Sequence, residues 1–176
     1  MQRLQHKMRV SSKHITLASG YFQRMLQGQW KEGEQLRSRG YAEIPIEENW
    51  DVDTFIILLN IIHCRSKAVP KSVNLETLVG LTVLADFYDC VDAMHFYAGA
   101  WIRSCITIKP TTYSDDLVKW MFVCLAFDSQ EHLEPLIRIY LRQGSAPIDA
   151  QGLPIADSVI SKYQDKFPTW KLRQPR

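Results

Sequence analysis

The chain has 176 residues, a formal net charge of +2, 46% hydrophobic residues and 23% charged residues. A chain of this length forms one domain, or one domain with an appendage, and can bury a core without disulfides or a structural metal. The small net charge argues against a surface built for nucleic acid or for a membrane. The longest apolar run, Phe55–Ile62, is far shorter than the roughly 20 residues of a transmembrane helix.

Two short helices are predicted near the N-terminus. Ser11 or Ser12 offers a hydroxyl group that can cap a helix over Lys13–Ala18. Ser19 can cap the next helix in the same way, and its apolar residues recur at helical spacing. Gly28 is a typical stop signal for that second helix.

Two strands are predicted on either side of these helices. Residues 6–10 alternate weakly between polar and apolar, and Tyr41–Ile46 has strand propensity. Pro45 lacks the backbone N–H group of a central strand, which places the far end of the second strand at a sheet edge. Residues 31–40 are polar and contain glycines, so the sequence predicts a loop there.

From Asp51 onward the chain predicts helices. The first of them, Asp51–Arg65, is apolar on most faces, which is typical of a central, buried helix. Asn74 and Ser114 are predicted to cap two further helices. The remaining helices are predicted over Val91–Ile106, over Leu133–Leu141 and from about Pro154 to Lys166, followed by a loose tail from residue 168.

The residues that could carry chemistry have no spacing typical of a catalytic or metal site. The cysteines are Cys64, Cys90, Cys105 and Cys124, and none of them forms a C-x-x-C pair. His63 and Cys64 are adjacent and would point about 100° apart on a helix, while Cys90 and His95 are five positions apart. We therefore predict no catalytic residue, no metal and no cofactor. Reduced, buried thiols favour a reducing compartment, the cytoplasm or the nucleus, and the first ten residues contain no secretory signal.

The positions of the acidic pairs and of the basic residues near the C-terminus are typical of helix ends. Acidic pairs lie where elements begin, and helix N-termini favour negative charge; these pairs are Glu47–Glu48, Asp51–Asp53 and Asp115–Asp116. Between Lys162 and Arg176 five basic residues are interspersed with three aromatic ones. A weak contact with nucleic acid stays open there, but a solvated helix end is the simpler interpretation.

The order of short motifs along the first hundred residues resembles the BTB/POZ domain. Its signature is a strand, a helix with "L-a-x-x-S" and then "S-x-x-F-x-x-x-L/F", and the matching positions are Ile15, Ser19, Phe22 and Leu26. The V-S-S-K-H-I start and the G-x-W-K-E-G segment (Gly28–Gly33) most resemble proteins of filamentous fungi. Further matches in order are Glu43–Ile46 before Trp50–Asp51, Phe55–His63, Val69–Pro70, Leu78–Cys90 and Trp101–Ile102.

The resemblance implies an α+β fold that is mostly α. We expect a BTB/POZ-like helical cluster with a small two- or three-stranded sheet in residues 1–107, and a helical extension in residues 108–176. The family often has histidine at the place of Ser11, and it normally has a further strand before the one that ends at Val10. Only nine residues precede Val10 here, which leaves no second strand ahead of the one predicted at residues 6–10, so we expect the domain to lack its usual first strand.

The function that the resemblance implies is that of a non-enzymatic protein–protein interaction module. Such a module self-associates or acts as an adaptor, for a cullin-type ubiquitin ligase or a transcription regulator. The implied contact surface covers Gln29–Gly40 and Tyr41–Ile46, with the helix Asp51–Arg65 behind it. Its candidate contact residues are Tyr21, Trp30, Tyr41, Ile44 and Ile46. A truncated remnant without activity and a small cysteine-dependent enzyme remain as alternatives.

Overall fold

The computed structural model describes residues 6–46, 50–105, 109–143 and 153, and most of these residues are helical. In chain order the helices are α1 (Ser12–Ala18), α2 (Gly20–Gln27), α3 (Lys31–Arg39), α4 (Val52–Ile62), α5 (Leu75–Phe87), α6 (Val91–Ser104), α7 (Asp115–Ala126) and α8 (Gln130–Gln143), with a 3₁₀ turn at Ser66–Ala68. The prediction of a mostly α-helical chain is therefore confirmed. The predicted helix from Pro154 to Lys166 and the tail after it lie outside the described residues.

Side-chain caps begin four of these helices, and the sequence predicts three of the caps, at Ser19, Asn74 and Ser114. Each capping side chain accepts a hydrogen bond of 2.8–3.3 Å from the backbone N–H group three residues later, and the four residues are Ser19, Asp51, Asn74 and Ser114. The Thr54 hydroxyl and N–H groups both donate to Asp51, and these bonds lower the pKa of that carboxyl group. Ser11 lies at the start of α1 but makes no capping bond.

The predicted strands are absent from the described residues. Neither residues 6–10 nor residues 41–46 form a strand, although Lys7 Nζ lies 3.6 Å from Glu43 Oε1. No backbone hydrogen bond of the described residues joins the two segments. A strand exists through its ladder of backbone bonds, and Pro45 cannot donate to one. The prediction of a two- or three-stranded sheet from these segments was wrong.

The segment predicted as a loop forms α3 instead. Two glutamates lie in its first turn and two arginines in its last, which is the arrangement that the helix dipole favours. Gly33 suggested a loop, yet it is buried where α3 crosses α2, and a β-carbon on it would lie 2.8 Å from the carbonyl oxygen of Leu26. Gly40 ends the helix with a left-handed backbone, φ 77°. The loop prediction for residues 31–40 was wrong, because Gly33 serves a close contact between two helices.

Three helices end on a residue other than glycine in the left-handed region. Cys64, Asp89 and Asp128 follow α4, α5 and α7 with φ values of 55°, 51° and 49°. In each case the next residue's N–H group bonds to the carbonyl oxygen five positions earlier, at 2.8 Å. These bonds are those of the Schellman motif, which satisfies the last carbonyl groups of a helix.

The chain divides into two compact units, Met1–Pro70 with Leu84–Met94, and Lys71–Val83 with His95–Arg176. In the first unit, Tyr88 joins two helices, since the ring of Phe22 stacks on it at 5.0 Å and that of Phe55 lies 5.7 Å away. In the second unit, α7 packs against α8 and buries most of its residues, including Trp120–Cys124. The division into residues 1–107 and 108–176 remains a prediction.

No helix in the described ranges has both the length and the hydrophobicity that crossing a lipid bilayer requires.

Candidate functional site

The predicted contact residue Tyr21 belongs to an aromatic cluster in the first unit. Its ring centre lies 5.4 Å from that of Phe22, 5.6 Å from Phe87 and 5.3 Å from Tyr88. Trp50 adds a fifth ring, 5.5 Å from Phe87. Tyr21 is half-buried and Phe87 is exposed, so the cluster extends from the core to the surface. Packing with these rings accounts for the position of Tyr21.

The other four predicted contact residues flank α3: one precedes the helix and three lie in the segment that follows it. Trp30 precedes α3 and is 65% exposed, and Tyr41 is 60% exposed. Ile46 is exposed and Ile44 is half-buried. No ring contact between described residues joins Tyr21, Trp30 or Tyr41 to one another. The structure therefore places Trp30 and Tyr41 at the surface and Tyr21 in the cluster.

A shallow groove of 390 Å³ lies between α1, α2 and α3, and the sequence did not predict it. Its apolar lining is Leu17, Leu26 and Leu36, and its polar lining is Ser12, Lys13, Thr16, Gln23 and Gln27. Leu17 is 90% exposed, more than any other large apolar side chain of the described residues. The sequence did contain a signal that Leu17 is exposed. Leu17 lies two residues after the buried Ile15, and residues two apart on a helix do not share a face.

Close backbone contacts hold the walls of this groove in place. Ser19 Oγ, between α1 and α2, bonds to Tyr88 and to the N–H group of Phe22. Gly33 lets α3 approach the carbonyl groups at the end of α2. Arg37 donates to the carbonyl oxygen of Gly28 at 3.1 Å, across the turn between these helices. These contacts fix the positions of α1, α2 and α3 relative to one another, and with them the shape of the groove.

The imidazole of His63 attaches α1 to α4. Its Nδ1 donates to the Leu59 carbonyl oxygen at 2.8 Å, because a carbonyl oxygen can only accept. In the neutral ring Nε2 then accepts from the Ser11 N–H group at 3.0 Å. His14 stacks on this ring with centres 5.2 Å apart and bonds to Ser11 Oγ. Both nitrogens of His63 therefore hold backbone groups, which assigns this histidine a structural role.

Two of the buried cysteines, Cys90 and Cys124, have the wrong ionisation for nucleophilic chemistry. Burial raises the pKa of the Cys90 thiol to about 12 and that of Cys124 to about 11. A nucleophilic cysteine needs the opposite shift. All four cysteines are free, and Cys64 is the exposed one. In the part of the chain that the structure describes, no three His, Cys, Asp or Glu side chains are grouped as metal ligands.

The second unit contains a buried amine that the sequence did not single out. Lys109 Nζ has no hydrogen-bond partner among the described residues and lies 5.4 Å from the centre of the Trp120 ring. Burial lowers the pKa of Lys109, against the opposing influence of Cys124 and Cys105. Burial also lowers the pKa of His132, and the charge of Lys109 lowers it further. The aromatic face under the amine provides a cation–π contact.

Comparison of the chain with known protein families, with curated proteins and with solved structures finds no match. The resemblance to BTB/POZ domains rests on the order of the motifs alone. A function for the chain therefore has to be inferred from its residues and their geometry.

Proposed function

We propose that the chain is a non-enzymatic protein-interaction module with a BTB/POZ-like helical core. In this role it self-associates or acts as an adaptor that brings a partner to a cullin-type ubiquitin ligase or to a transcription regulator. The supporting observation is the distribution of exposed large apolar side chains. Of the ten in the described residues, eight belong to the first unit: Met8, Val10, Leu17, Trp30, Tyr41, Ile46, Ile56 and Phe87.

Two of these eight residues have the side chains that most often dominate protein interfaces. Trp30 and Tyr41 lie at the two ends of α3 and expose more than half of their surface. Tryptophan and tyrosine are enriched among the residues that contribute most to binding, because they bury a large rigid area at a low entropy cost. A partner that covers both residues would remove this apolar surface from water.

The polar groups of the first unit support a binding role over a catalytic one. His63 is occupied at both ring nitrogens by backbone groups. Burial keeps the thiol of Cys90 protonated at neutral pH. The four free cysteines fit a reducing compartment such as the cytoplasm or the nucleus, where adaptors of this kind work.

The proposal is tested on the purified full-length chain by light scattering, for its mass, and by titration with a purified cullin N-terminal domain. We expect a dimer or a cullin complex, weakened about fivefold or more by Trp30→Ala or Tyr41→Ala. The matched control is Phe96→Ala, since Phe96 is 77% exposed in the second unit. A chain that remains monomeric, binds no cullin domain and cross-links to no lysate protein in a Trp30-dependent manner would contradict the proposal.

A further inference from the structure

The groove between α1, α2 and α3 has an apolar centre and a polar rim. Leu17, Leu26 and Leu36 supply the apolar surface, and Lys13 is the charged residue among the eight that line it. Leu26 is 4% exposed and belongs to the core, whereas Leu17 is 90% exposed. A leucine left in water beside two others is a surface that a partner's apolar side chains can cover.

The lining excludes the common ways in which a protein captures an extended peptide. Strand addition needs a free sheet edge, and the described residues contain no strand. Recognition of a proline-rich segment needs aromatic walls, and none of the eight lining residues is aromatic. Phosphopeptide recognition uses a cluster of arginines, which this lining lacks. An apolar groove between helices suits a helix laid into it, with apolar anchors three or four residues apart.

The charge of the segment that contains these three helices favours an acidic partner. Residues 6–46 contain seven lysines and arginines against three glutamates, an excess of four, while the whole chain has a net charge of +2. Two of the glutamates lie in the first turn of α3 and the third pairs with Lys7. In contrast, Arg9, Lys13, Lys31 and Arg39 take part in no ion pair of the described residues.

We propose that this groove binds an acidic amphipathic helix of a partner protein, with leucine-type anchors on Leu17 and Leu36 and carboxylates facing Lys13. This inference rests on the proposed interaction function and names the chemistry of one partner segment. Opposite charges around an apolar contact speed association and exclude basic competitors. The groove therefore selects its partner by charge and holds it by apolar burial.

The test starts from a display library of amphipathic helical peptides with random flanking charges, selected on the immobilised full-length chain. We expect the enriched peptides to be acidic and to have apolar residues at helical spacing. The affinity of the best peptide is then compared with that of a twin in which lysine replaces each glutamate. Binding of the acidic peptide is expected to be at least tenfold tighter, and to weaken with added salt.

Two variants test whether the peptide binds in the groove. Leu17→Glu is expected to weaken the acidic peptide about tenfold or more, and Lys13→Glu about two- to fivefold while improving the lysine twin. Both positions are exposed, so the fold should survive, and circular dichroism checks this. The matched controls are Phe96→Glu and Lys67→Glu, at exposed positions outside the lining, which should leave both affinities unchanged.

The outcomes separate this inference from the proposed function. Basic peptides in the selection, or an acidic peptide that binds Leu17→Glu as tightly as the unmodified chain, would overturn the groove proposal. The same holds if no peptide is selected although the chain dimerises or binds a cullin domain, and in that case the proposed function stands. If the chain is a dimer that Leu17→Glu converts to a monomer, the occupant is a second copy and the acidic-helix assignment is wrong.

Discussion

Ser19 joins the start of α2 to the residue after α5 through a single hydroxyl group. Its Oγ donates to the carbonyl oxygen of Tyr88 and accepts from the Phe22 N–H group at 3.1 Å. The neighbouring N–H group of Gly20 donates to the Asp89 carbonyl oxygen at 3.0 Å. Two adjacent residues thus fix the α1–α2 joint, and with it one wall of the groove, onto the turn that follows α5.

Replacement of Ser19 by alanine is expected to lower the free energy of unfolding by about 2 kcal/mol. The change removes an N-cap, which contributes about 1 kcal/mol, and a second buried hydrogen bond of similar magnitude. Denaturant unfolding followed by circular dichroism measures the loss. Ser38→Ala is the matched control, because Ser38 is exposed and bonds to the carbonyl oxygens of its own helix, so its effect should stay within about 0.5 kcal/mol. Equal effects of the two substitutions would contradict the role assigned to Ser19.

Two glycines in helices are expected to respond in opposite ways to alanine. Helix propensity alone favours alanine by about 1 kcal/mol in an exposed helix interior. Gly99→Ala should show this gain, since its β-carbon would meet the flexible end of Arg103 at 3.4 Å. Gly33→Ala should instead destabilise the chain, because its β-carbon would lie 2.8 Å from the backbone oxygen of Leu26. Thermal unfolding of both variants measures the signs, and stabilisation by Gly33→Ala would show that α3 can move away from α2 without cost.

The features that the sequence predicts correctly are those fixed within a few residues. Ser19, Asn74 and Ser114 each bond three positions along the chain, so residue type and spacing suffice to place these caps. The helix end marked by Cys64 was predicted too late, at Arg65, because its left-handed backbone occurs without the usual glycine.

The features that the sequence missed depend on contacts between distant residues. In the sequence, Gly33 is typical of a loop. In the structure, the position requires glycine because the backbone of α2 leaves no room for a β-carbon. Strand propensity in Tyr41–Ile46 has no effect without a hydrogen-bonding partner. Trp30 and Tyr41 were proposed as contact residues from the resemblance, and both are exposed. The groove around Leu17 could not be predicted from the sequence, because its lining comes from three helices whose packing the sequence does not reveal.

The buried thiols predict a loss of stability in alkaline solution. Burial raises the pKa of Cys90 to about 12 and that of Cys124 to about 11, from an ordinary value of 9.0. Above that ordinary value the unfolded chain loses thiol protons that the folded chain retains, so the free energy of unfolding falls as the pH rises. The slope approaches about 1.4 kcal/mol per pH unit for each thiol. Stabilisation from these groups is complete below pH 9 and is lost as the pH rises towards 11 to 12.

Denaturant unfolding at a series of pH values between 7 and about 11 measures this dependence. Cys90→Ala and Cys124→Ala should each flatten the alkaline slope, whatever they do to stability at neutral pH. Cys64→Ala is the control, since this side chain is exposed and its removal should leave the slope unchanged. An unchanged slope in both core variants would mean that these thiols ionise in the folded chain, contrary to their burial.

Substitution of Lys109 by methionine is expected to stabilise the chain, by about 1 kcal/mol. This buried amine has no hydrogen-bond partner among the described residues, which costs free energy on folding, and its lowered pKa reflects the same loss of hydration. Methionine preserves the length of the side chain and can place its sulfur against the Trp120 ring, which replaces part of the cation–π contact. Lys67→Met, at an exposed lysine, serves as the control and should change stability by less than about 0.5 kcal/mol. A clear destabilisation by Lys109→Met, measured by denaturant unfolding, would mean that the charge of this amine is used in the folded chain and that its contact with Trp120 outweighs the cost of burial.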